Sequence, residues 1–349
     1  MMKVLALQRV SHVAANALSL SVEARVTEAL DYLTDQGHLV YAAIAENHDR
    51  VQGALDWADA LILSKHSSET AVAIAKRAKQ RGLRIVYDVD DWIFSFPSYS
   101  NATKVAKQLD GIRALLKLSD VVTVANDQIL REIKRYCETP VLVPNGMYVE
   151  KYTSVTQSST LSEHAVAPRI VFTNADLIKV HNSKEVLLRV LQDFFHLHPE
   201  YTLDFYGDPF PEIFSLPFLH YTSRKQYPDY VQSLIAGGYT FSITPLGGAE
   251  DPDSLFFNSC KNPFKYLNYG TARVPGIYSR SPIYERCVQD GETGLLVENT
   301  YEDWFTAMER IASDAALRRK IRDQAFIDIA ERHHIRFSAQ SLMSVLSGD

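Results

Sequence analysis

The 349-residue sequence is poor in cysteine, with only Cys137, Cys260 and Cys287. No two of them have a Cys-x-x-Cys spacing, so they indicate neither a zinc site nor a disulfide framework. An odd number of cysteines is typical of a protein in a reducing compartment. We therefore expect a cytoplasmic protein.

Long apolar runs are also missing. No stretch approaches the ~18 residues that a membrane span requires. The N-terminal segment MMKVLALQRVSHV has too short an apolar run for a signal peptide. The basic run KRAKQR at 76–81 favours the solvated face of a helix. Its alternative interpretation is a weak peripheral contact with the anionic cytoplasmic face of a membrane.

Positive charge is not in excess. The sequence contains 36 Lys and Arg against 42 Asp and Glu, which gives a formal net charge of -6. Because nucleic-acid binding requires clustered excess positive charge, we expect no nucleic-acid partner. A composition of 46% hydrophobic and 22% charged residues is instead that of a globular protein with material for two cores.

Short apolar runs alternate with helical patterns, and this rhythm occurs twice along the chain. The runs lack polar alternation, as strands of a parallel sheet covered on both faces do. The rhythm predicts right-handed crossovers in two doubly wound α/β domains. The predicted strands are Val4–Leu7, Leu39–Ile44, Ala60–Leu63, Arg84–Asp88, Val121–Ala125, Val141–Pro144, Arg169–Thr173, Leu203–Tyr206, Phe241–Thr244, Val274–Tyr278 and Leu295–Val297.

The break between the two rhythms predicts the domain organisation. A Ser- and Thr-rich linker at 151–167 separates a first domain at 1–150 from a second at 168–325. A helical tail at 326–349 is predicted to pack back on the first domain. In such sheets ligands bind beyond the carboxyl ends of the strands, and we expect a cleft between the domains.

The segment CKNPFKYLNYGTARVPGIYS at 260–279 predicts a helix followed by a buried strand. Asn262 suits the N-cap and Pro263 the first helical position. The free amides and the positive end of the helix dipole then form an anion site. With Lys261 and Lys265 beside it, this helix start suits a diphosphate, whereas the plainer alternative is a surface helix with two solvated lysines. Asn268 shares the helix face of Lys265 and is placed to hydrogen-bond a hydroxyl of the ligand.

Further elements accompany this helix start. They are Phe257-Asn258 before it, GETGLLV at 291–297 after it, and VYDVDDWIFSFP at 86–97 in the first half. Taken together, these motifs resemble the GT-B glycosyltransferases of the retaining, family-four type. The resemblance covers nearly the whole chain and is strongest over 241–311.

The resemblance implies an α/β fold of the GT-B type, with two Rossmann-like domains facing each other across a cleft. It also implies transfer of a sugar from a nucleotide-diphosphate-sugar in the second domain to a glycan or lipid-linked acceptor. The nucleotide-sugar is a substrate, and neither a cofactor nor a metal is expected. The implied donor-binding residues are Asn174, His181, Gly207, Asn258, Cys260, Asn268 and Glu292.

Negative charge grows on the departing diphosphate as the glycosidic bond breaks. Positive groups aimed at that charge stabilise the transition state, and Lys261 and Lys265 are the candidates for this role. With retention, as the resemblance implies, the phosphate oxygen itself helps to deprotonate the acceptor. If the enzyme inverts instead, Asp90 or Asp91 is the candidate base.

The aspartates of the first half have a rival interpretation, because a strand ending in Asp-x-Asp also binds a divalent metal in the other glycosyltransferase architecture. The restart of the α/β rhythm favours a metal-free position on the acceptor side. Asp88, Arg25 and His12 are predicted to lie there too. Plainer alternatives are that Asp91 caps a turn and that His12 is a solvated loop histidine.

Two positions depart from the family pattern of two glutamates separated by seven residues. Cys260 and Asn268 stand at those positions. The alternative to an active transferase is therefore a catalytically silent GT-B scaffold that binds a sugar nucleotide or regulates a partner enzyme. A sugar epimerase of the same shape is a third hypothesis.

Overall fold

The computed structural model describes residues 1–9, 20–95, 102–153, 167–174, 184–208, 211–247 and 252–348, with the backbone alone at 20 and 102–107. The chain divides into two compact units. The first comprises Met1–Tyr148, Cys260–Asn262 and His334–Asp349, and the second comprises Val149–Ser259 and Pro263–His333. None of the helices in the described part is long and apolar enough to cross a membrane.

The described strands form two parallel six-stranded sheets, one in each unit. The first has the order β2-β1-β3-β4-β5-β6, which reverses between β1 and β3. The second has the order β12-β11-β10-β7-β8-β9, which reverses between β7 and β10. The strands are β1 Met2–Gln8, β2 Leu39–Ala45, β3 Ala60–Ser64, β4 Arg84–Val89, β5 Val121–Val124, β6 Pro140–Leu142, β7 Arg169–Asn174, β8 Thr202–Gly207, β9 Leu219–Thr222, β10 Phe241–Thr244, β11 Gly276–Ser279 and β12 Leu295–Val297.

Helices connect the strands of both sheets. A π-helical turn, Glu23–Thr27, separates α1 from α2, and a 3-10 helix spans Pro211–Ser215. The helices are α1 Leu20–Val22, α2 Glu28–Asp35, α3 Val51–Trp57, α4 Glu69–Gln80, α5 Ala102–Leu118, α6 Asp127–Ile133, α7 Val149–Thr153, α8 Lys184–Leu197, α9 Tyr227–Gly237, α10 Pro252–Ser259, α11 Phe264–Thr271, α12 Pro282–Glu285, α13 Tyr301–Ser313, α14 Ala315–Arg332 and α15 Ile335–Ser347.

Each unit has its own hydrophobic core. In the first, apolar residues of β1, β3 and α2 pack with Ile335, Leu342 and Val345 of α15. The last helix of the chain therefore completes the core of the first unit, although α14 before it belongs to the second unit. In the second, Phe172 of β7 and Phe205 of β8 pack with α8 and α13.

The predicted fold class of two doubly wound α/β domains is confirmed by these sheets. Every predicted strand is present to within two residues at either end. The prediction missed β9, an edge strand in which no residue is buried and whose sequence LHYT is not an apolar run. Of the predicted linker, residues 154–166 lie outside the described part of the chain.

Candidate functional site

The strand order of the second sheet reverses between β7 and β10, and this is where ligands bind in doubly wound sheets. Asn174 ends β7 and Gly207 ends the neighbouring β8. Gly207 has a φ of +120°, and a Cβ built there would lie 1.9 Å from the backbone oxygen of Asn174. The two strand ends therefore approach as closely as only glycine allows.

Lys265 brings a positive charge to the carboxyl end of β7. It lies in the first turn of α11, and its Nζ donates a hydrogen bond to the backbone oxygen of Thr173. The amine is also 6.0 Å from the centroid of the Phe172 ring. A cation at this position is suited to a phosphate group of a ligand beyond the strand ends.

Asn268 lies one turn further along α11 within a network of hydroxyl groups. Its Oδ1 accepts a hydrogen bond of 2.8 Å from the hydroxyl of Tyr227, and it is 3% exposed. Nearby, the Thr173 hydroxyl shares hydrogen bonds with the hydroxyls of Tyr230 and Tyr269, at 3.0 and 2.8 Å. Burial raises the pKa of Tyr230 to about 12. The amide of Asn268 is thus buried among hydroxyl groups.

The predicted cap of α11 was wrong. Pro263 occupies the N-cap position and the helix begins at Phe264. Asn262 instead donates from Nδ2 to the backbone oxygen of Asp90 at 2.7 Å and to Asp90 Oδ2 at 3.1 Å. Asparagine suits a helix cap, but here its side chain contacts a residue 172 positions away in the sequence. Lys261 belongs with the first unit through the segment Cys260–Asn262, and Lys265 with the second.

The other predicted donor-binding residues have structural contacts of their own. Asn258 is buried and donates from Nδ2 to the backbone oxygen of Gly247 at 2.8 Å. Cys260 is 0% exposed. Glu292 forms a half-exposed ion pair with Lys320. The predicted residue His181 lies outside the described residues.

Lys65 stands at the corresponding reversal of the first sheet and was not predicted. It follows β3 with a φ of +51°, a conformation that costs energy for a residue other than glycine. Its Nζ lies 2.6 Å from Asp90 Oδ1 and 3.1 Å from Asp91 Oδ2. Burial lowers the pKa of Lys65, but attraction to Asp90 and Asp91 outweighs it and the pKa is raised. The only sequence signal was a lysine directly after the apolar run ALILS.

The two candidate bases differ in access. Asp90 is 0% exposed, and burial raises its pKa. The side chain of Asp91 is 35% exposed. The carboxylate of Asp91 is therefore the more accessible of the two.

Asp88 and Arg25 form a buried ion pair. Arg25 Nε lies 2.9 Å from both carboxylate oxygens of Asp88, and its Nη2 lies 2.8 Å from Oδ1. The hydroxyls of Ser64 and Thr123 donate to the same carboxylate at 3.0 and 2.7 Å. These contacts give both side chains a structural role, and their contact with an acceptor stays a prediction. The third predicted acceptor-side residue, His12, lies outside the described residues.

The two remaining sequence predictions concern surface charge and metal. In the basic run at 76–81, Lys79 pairs with Asp120 at 2.5 Å and Arg81 with Asp56 at 2.6 Å. These pairs favour the solvated helix face. Across the described ranges, no group of three or more His, Cys, Asp and Glu side chains is arranged to hold a metal ion.

His66, next to Lys65, should make folding stability depend on pH. Burial, and secondly the charge of Arg9, lowers the pKa of His66 from 6.5 to about 3. Below pH 6.5 the unfolded chain therefore binds a proton that the folded chain does not, and stability falls as the pH falls. We expect a loss of about 2 kcal/mol at pH 5 relative to pH 7.5, measurable by urea unfolding at both values.

Two variants check that this loss comes from His66. His66→Leu should reduce the difference in stability between pH 7.5 and pH 5. His48→Gln changes a histidine whose side chain is 47% exposed, and should leave the difference unchanged. A difference that persists in His66→Leu would assign the effect to other groups.

Comparison with known proteins supports the fold through structure rather than sequence. No protein-family model matches the sequence, and no curated protein matches it. HepE of Anabaena, in complex with UDP and glucose, matches with a TM-score of 0.65 and 14% identity over 100% of both chains. Sucrose-phosphate synthase of Thermosynechococcus elongatus matches with a TM-score of 0.64 and 12% identity, over 100% of this chain and 99% of that one.

An alpha-glucosyltransferase in complex with UDP-glucose and DNA containing an abasic site also matches. Its TM-score is 0.67 with 13% identity, over 99% of both chains. At such low identities a structural likeness shows the fold alone. Together with the two parallel sheets, these likenesses over whole chains establish that this chain has the GT-B fold of glycosyltransferases.

Proposed function

We propose that the chain transfers a sugar from a nucleoside-diphosphate-sugar to a glycan or lipid-linked acceptor. The observation that carries this proposal is the amine of Lys265 at the carboxyl end of β7, where the strand order of the second sheet reverses. That position is where a doubly wound sheet binds a nucleotide. The structural neighbours that contain UDP or UDP-glucose make uridine nucleotides the first donors to test.

The proposed chemistry is electrostatic. The bond between the sugar and the phosphate breaks through an oxocarbenium-like transition state, and negative charge collects on the departing diphosphate. Lys265, and Lys261 four residues earlier in the chain, oppose that charge. Since the charge is larger in the transition state than in the bound donor, loss of either amine should lower kcat by about 100-fold to 1,000-fold.

We propose transfer with retention and without a metal. In this route the leaving phosphate oxygen takes the proton of the acceptor hydroxyl, so a protein base is not required. The burial of Asp90 supports this route, because a carboxylate without exposed surface is poorly placed to act as the base. If the product shows inversion instead, the accessible carboxylate of Asp91 is the candidate base.

A second candidate function is a catalytically silent scaffold that binds a sugar nucleotide or regulates a partner enzyme. Two observations favour it. Cys260 is 0% exposed, and Asn268 is 3% exposed with its side-chain oxygen engaged by Tyr227. The two positions where the related family has glutamates are therefore both buried.

A thermal-shift panel of nucleoside diphosphates and their sugars tests donor binding. We expect UDP or a UDP-sugar to raise the Tm of the wild type, and Lys265→Ala to remove most of that rise. At a ligand concentration of about 100 times Kd, binding adds about 2.7 kcal/mol to the stability. Lys76→Ala, which removes an exposed lysine on α4, is the matched control and should keep the full shift.

The same panel separates the two functions. Slow release of sugar from the donor, or its transfer to a glycan, supports the active enzyme. Binding without hydrolysis or transfer over a broad donor panel supports the silent scaffold. If no nucleotide shifts the Tm, or if Lys265→Ala keeps the full shift, the assignment of the phosphate site to Lys265 is wrong.

A further inference from the structure

The segment Cys260–Asn262 belongs to the first unit although its neighbours in sequence belong to the second. Asn126 holds its backbone. From Nδ2 it donates to the backbone oxygens of Cys260 and Lys261, at 3.2 and 3.3 Å. The Oδ1 of Asn126 accepts from the backbone amide of Ile129 at 3.0 Å, so the holding side chain is itself fixed as the N-cap of α6.

Asn262 holds the other end of the segment. Besides its two contacts with Asp90, its Oδ1 accepts a hydrogen bond of 2.6 Å from Nδ2 of Asn145. The Oδ1 of Asn145 in turn accepts from Nη1 of Arg25 at 3.0 Å. A continuous chain of hydrogen bonds therefore connects the buried Asp88–Arg25 pair to Asn262.

The side chain of Asp90 also belongs to this network of hydrogen bonds. Its buried carboxylate accepts from Asn262 and pairs with Lys65 at 2.6 Å. An uncharged amide donor at position 262 suits this carboxylate. A carboxylate at the same position would instead place two negative charges about 3 Å apart in a partly buried environment, which is unfavourable.

We propose that Asn262 is a positioning residue that acts through Lys261, and that Asp90 serves to anchor it. This inference rests on the proposed function, in which Lys261 contacts the donor diphosphate. Hydrogen bonds to the backbone at Cys260 and Lys261 and to the side chain of Asn262 restrain the backbone on both sides of the lysine. A restrained backbone reduces the ordering that ligand binding requires, so affinity rises without a new ligand contact.

A double-mutant cycle with UDP as the probe tests the inference. We expect Lys261→Ala to raise the Kd of UDP about tenfold or more, because a charge-assisted hydrogen bond is lost. Asn262→Ala should raise it about fivefold. Because Asn262 acts through Lys261, the double variant should bind about as weakly as Lys261→Ala alone. Fully additive losses, measured by titration calorimetry, would overturn the inference.

Two further variants test whether weaker UDP binding comes from the loss of the Asn262 contacts or from a general loss of stability. Asn262→Asp removes the donated hydrogen bonds and adds a repulsive charge next to Asp90, so it should weaken UDP binding at least as much as Asn262→Ala. Gly82→Ala changes a turn in the first unit with a φ of +76° and should lower stability while leaving the Kd of UDP unchanged. Faster hydrogen exchange in a peptide spanning 256–266 of Asn262→Ala, with the rest of the chain unchanged, is the expected local sign.

The outcomes distinguish this inference from the proposed function. A wild type that binds no nucleoside diphosphate would contradict the proposed function itself. If Lys261→Ala weakens UDP binding and Asn262→Ala does not, only the positioning role falls. Unchanged hydrogen exchange at 256–266 in Asn262→Ala would likewise show that Asn262 does not hold the segment.

Discussion

Replacing Arg25 with methionine should lower the free energy of unfolding by about 3–5 kcal/mol, because Asp88 then stays buried without a compensating charge. Both side chains are at most 5% exposed, and the guanidinium contacts both carboxylate oxygens. Arg25 also donates to the backbone oxygen of Val143 at 2.8 Å. The variant therefore leaves a buried carboxylate and a buried carbonyl with fewer donors. Urea unfolding at pH 7.5 measures the loss.

A double variant separates the uncompensated charge from the lost packing. Asp88→Asn removes the charge that Arg25→Met leaves behind, so the double variant should be more stable than Arg25→Met alone. Arg77→Met, at an exposed position of α4, is the matched control and should stay within about 0.5 kcal/mol of the wild type. A small loss for Arg25→Met, together with weaker acceptor binding, would show instead that Arg25 serves the acceptor.

Replacing Gly207 with alanine is expected to cost about 3 kcal/mol of stability. One contribution is backbone strain at a φ of +120°, which is of the order of 1–3 kcal/mol for a residue with a side chain. A second is steric, because the new Cβ would lie 1.9 Å from the backbone oxygen of Asn174, and a backbone atom cannot move aside as a side-chain end can. The ends of β7 and β8 must separate to relieve the overlap.

Gly82→Ala is the matched control for this prediction. Gly82 also has a positive φ, of +76°, but no described atom lies within 4 Å of a Cβ built there. Its replacement should therefore cost only about 1 kcal/mol, which is the strain alone. Equal losses for the two variants would show that the close approach of β7 and β8 contributes nothing. If folded Gly207→Ala can be prepared, its UDP binding should also be weaker, since the two strand ends lie at the proposed donor site.

The strands and most of the helices were predictable because their signal is local. An apolar run such as Ala60–Leu63 can be satisfied only by burial, and the run therefore marks the strand wherever it lies in the fold. Local signals fail where burial is incomplete, as in the edge strand β9, which has no apolar run. They also miss the π-helical turn that carries Arg25, because nothing in the sequence between 20 and 35 marks it.

The candidate site was predicted in part. Lys265 was singled out from its place near a helix start, and the structure puts its amine at the carboxyl end of β7. Asn262 was assigned to the cap of the same helix, because asparagine is a good cap and the sequence shows only which residues are adjacent along the chain. The structure uses it for Asp90, 172 residues away. Lys65 was missed for the same reason, since both of its aspartate partners come from the loop after the next strand, β4.

By itself, the sequence determined the two α/β rhythms and hence the strands, the crossovers and the fold class. These depend on short apolar runs and helical patterns, which each segment carries regardless of its surroundings. Only the tertiary structure decided which polar side chains meet. The structure pairs Asp88 with Arg25, holds 260–262 through Asn126 and Asn262, and buries Asn268 against Tyr227. All of these contacts join residues that are far apart in the sequence. Hydrogen bonds and charges act over a few ångströms in space, and a distance along the chain does not measure that separation.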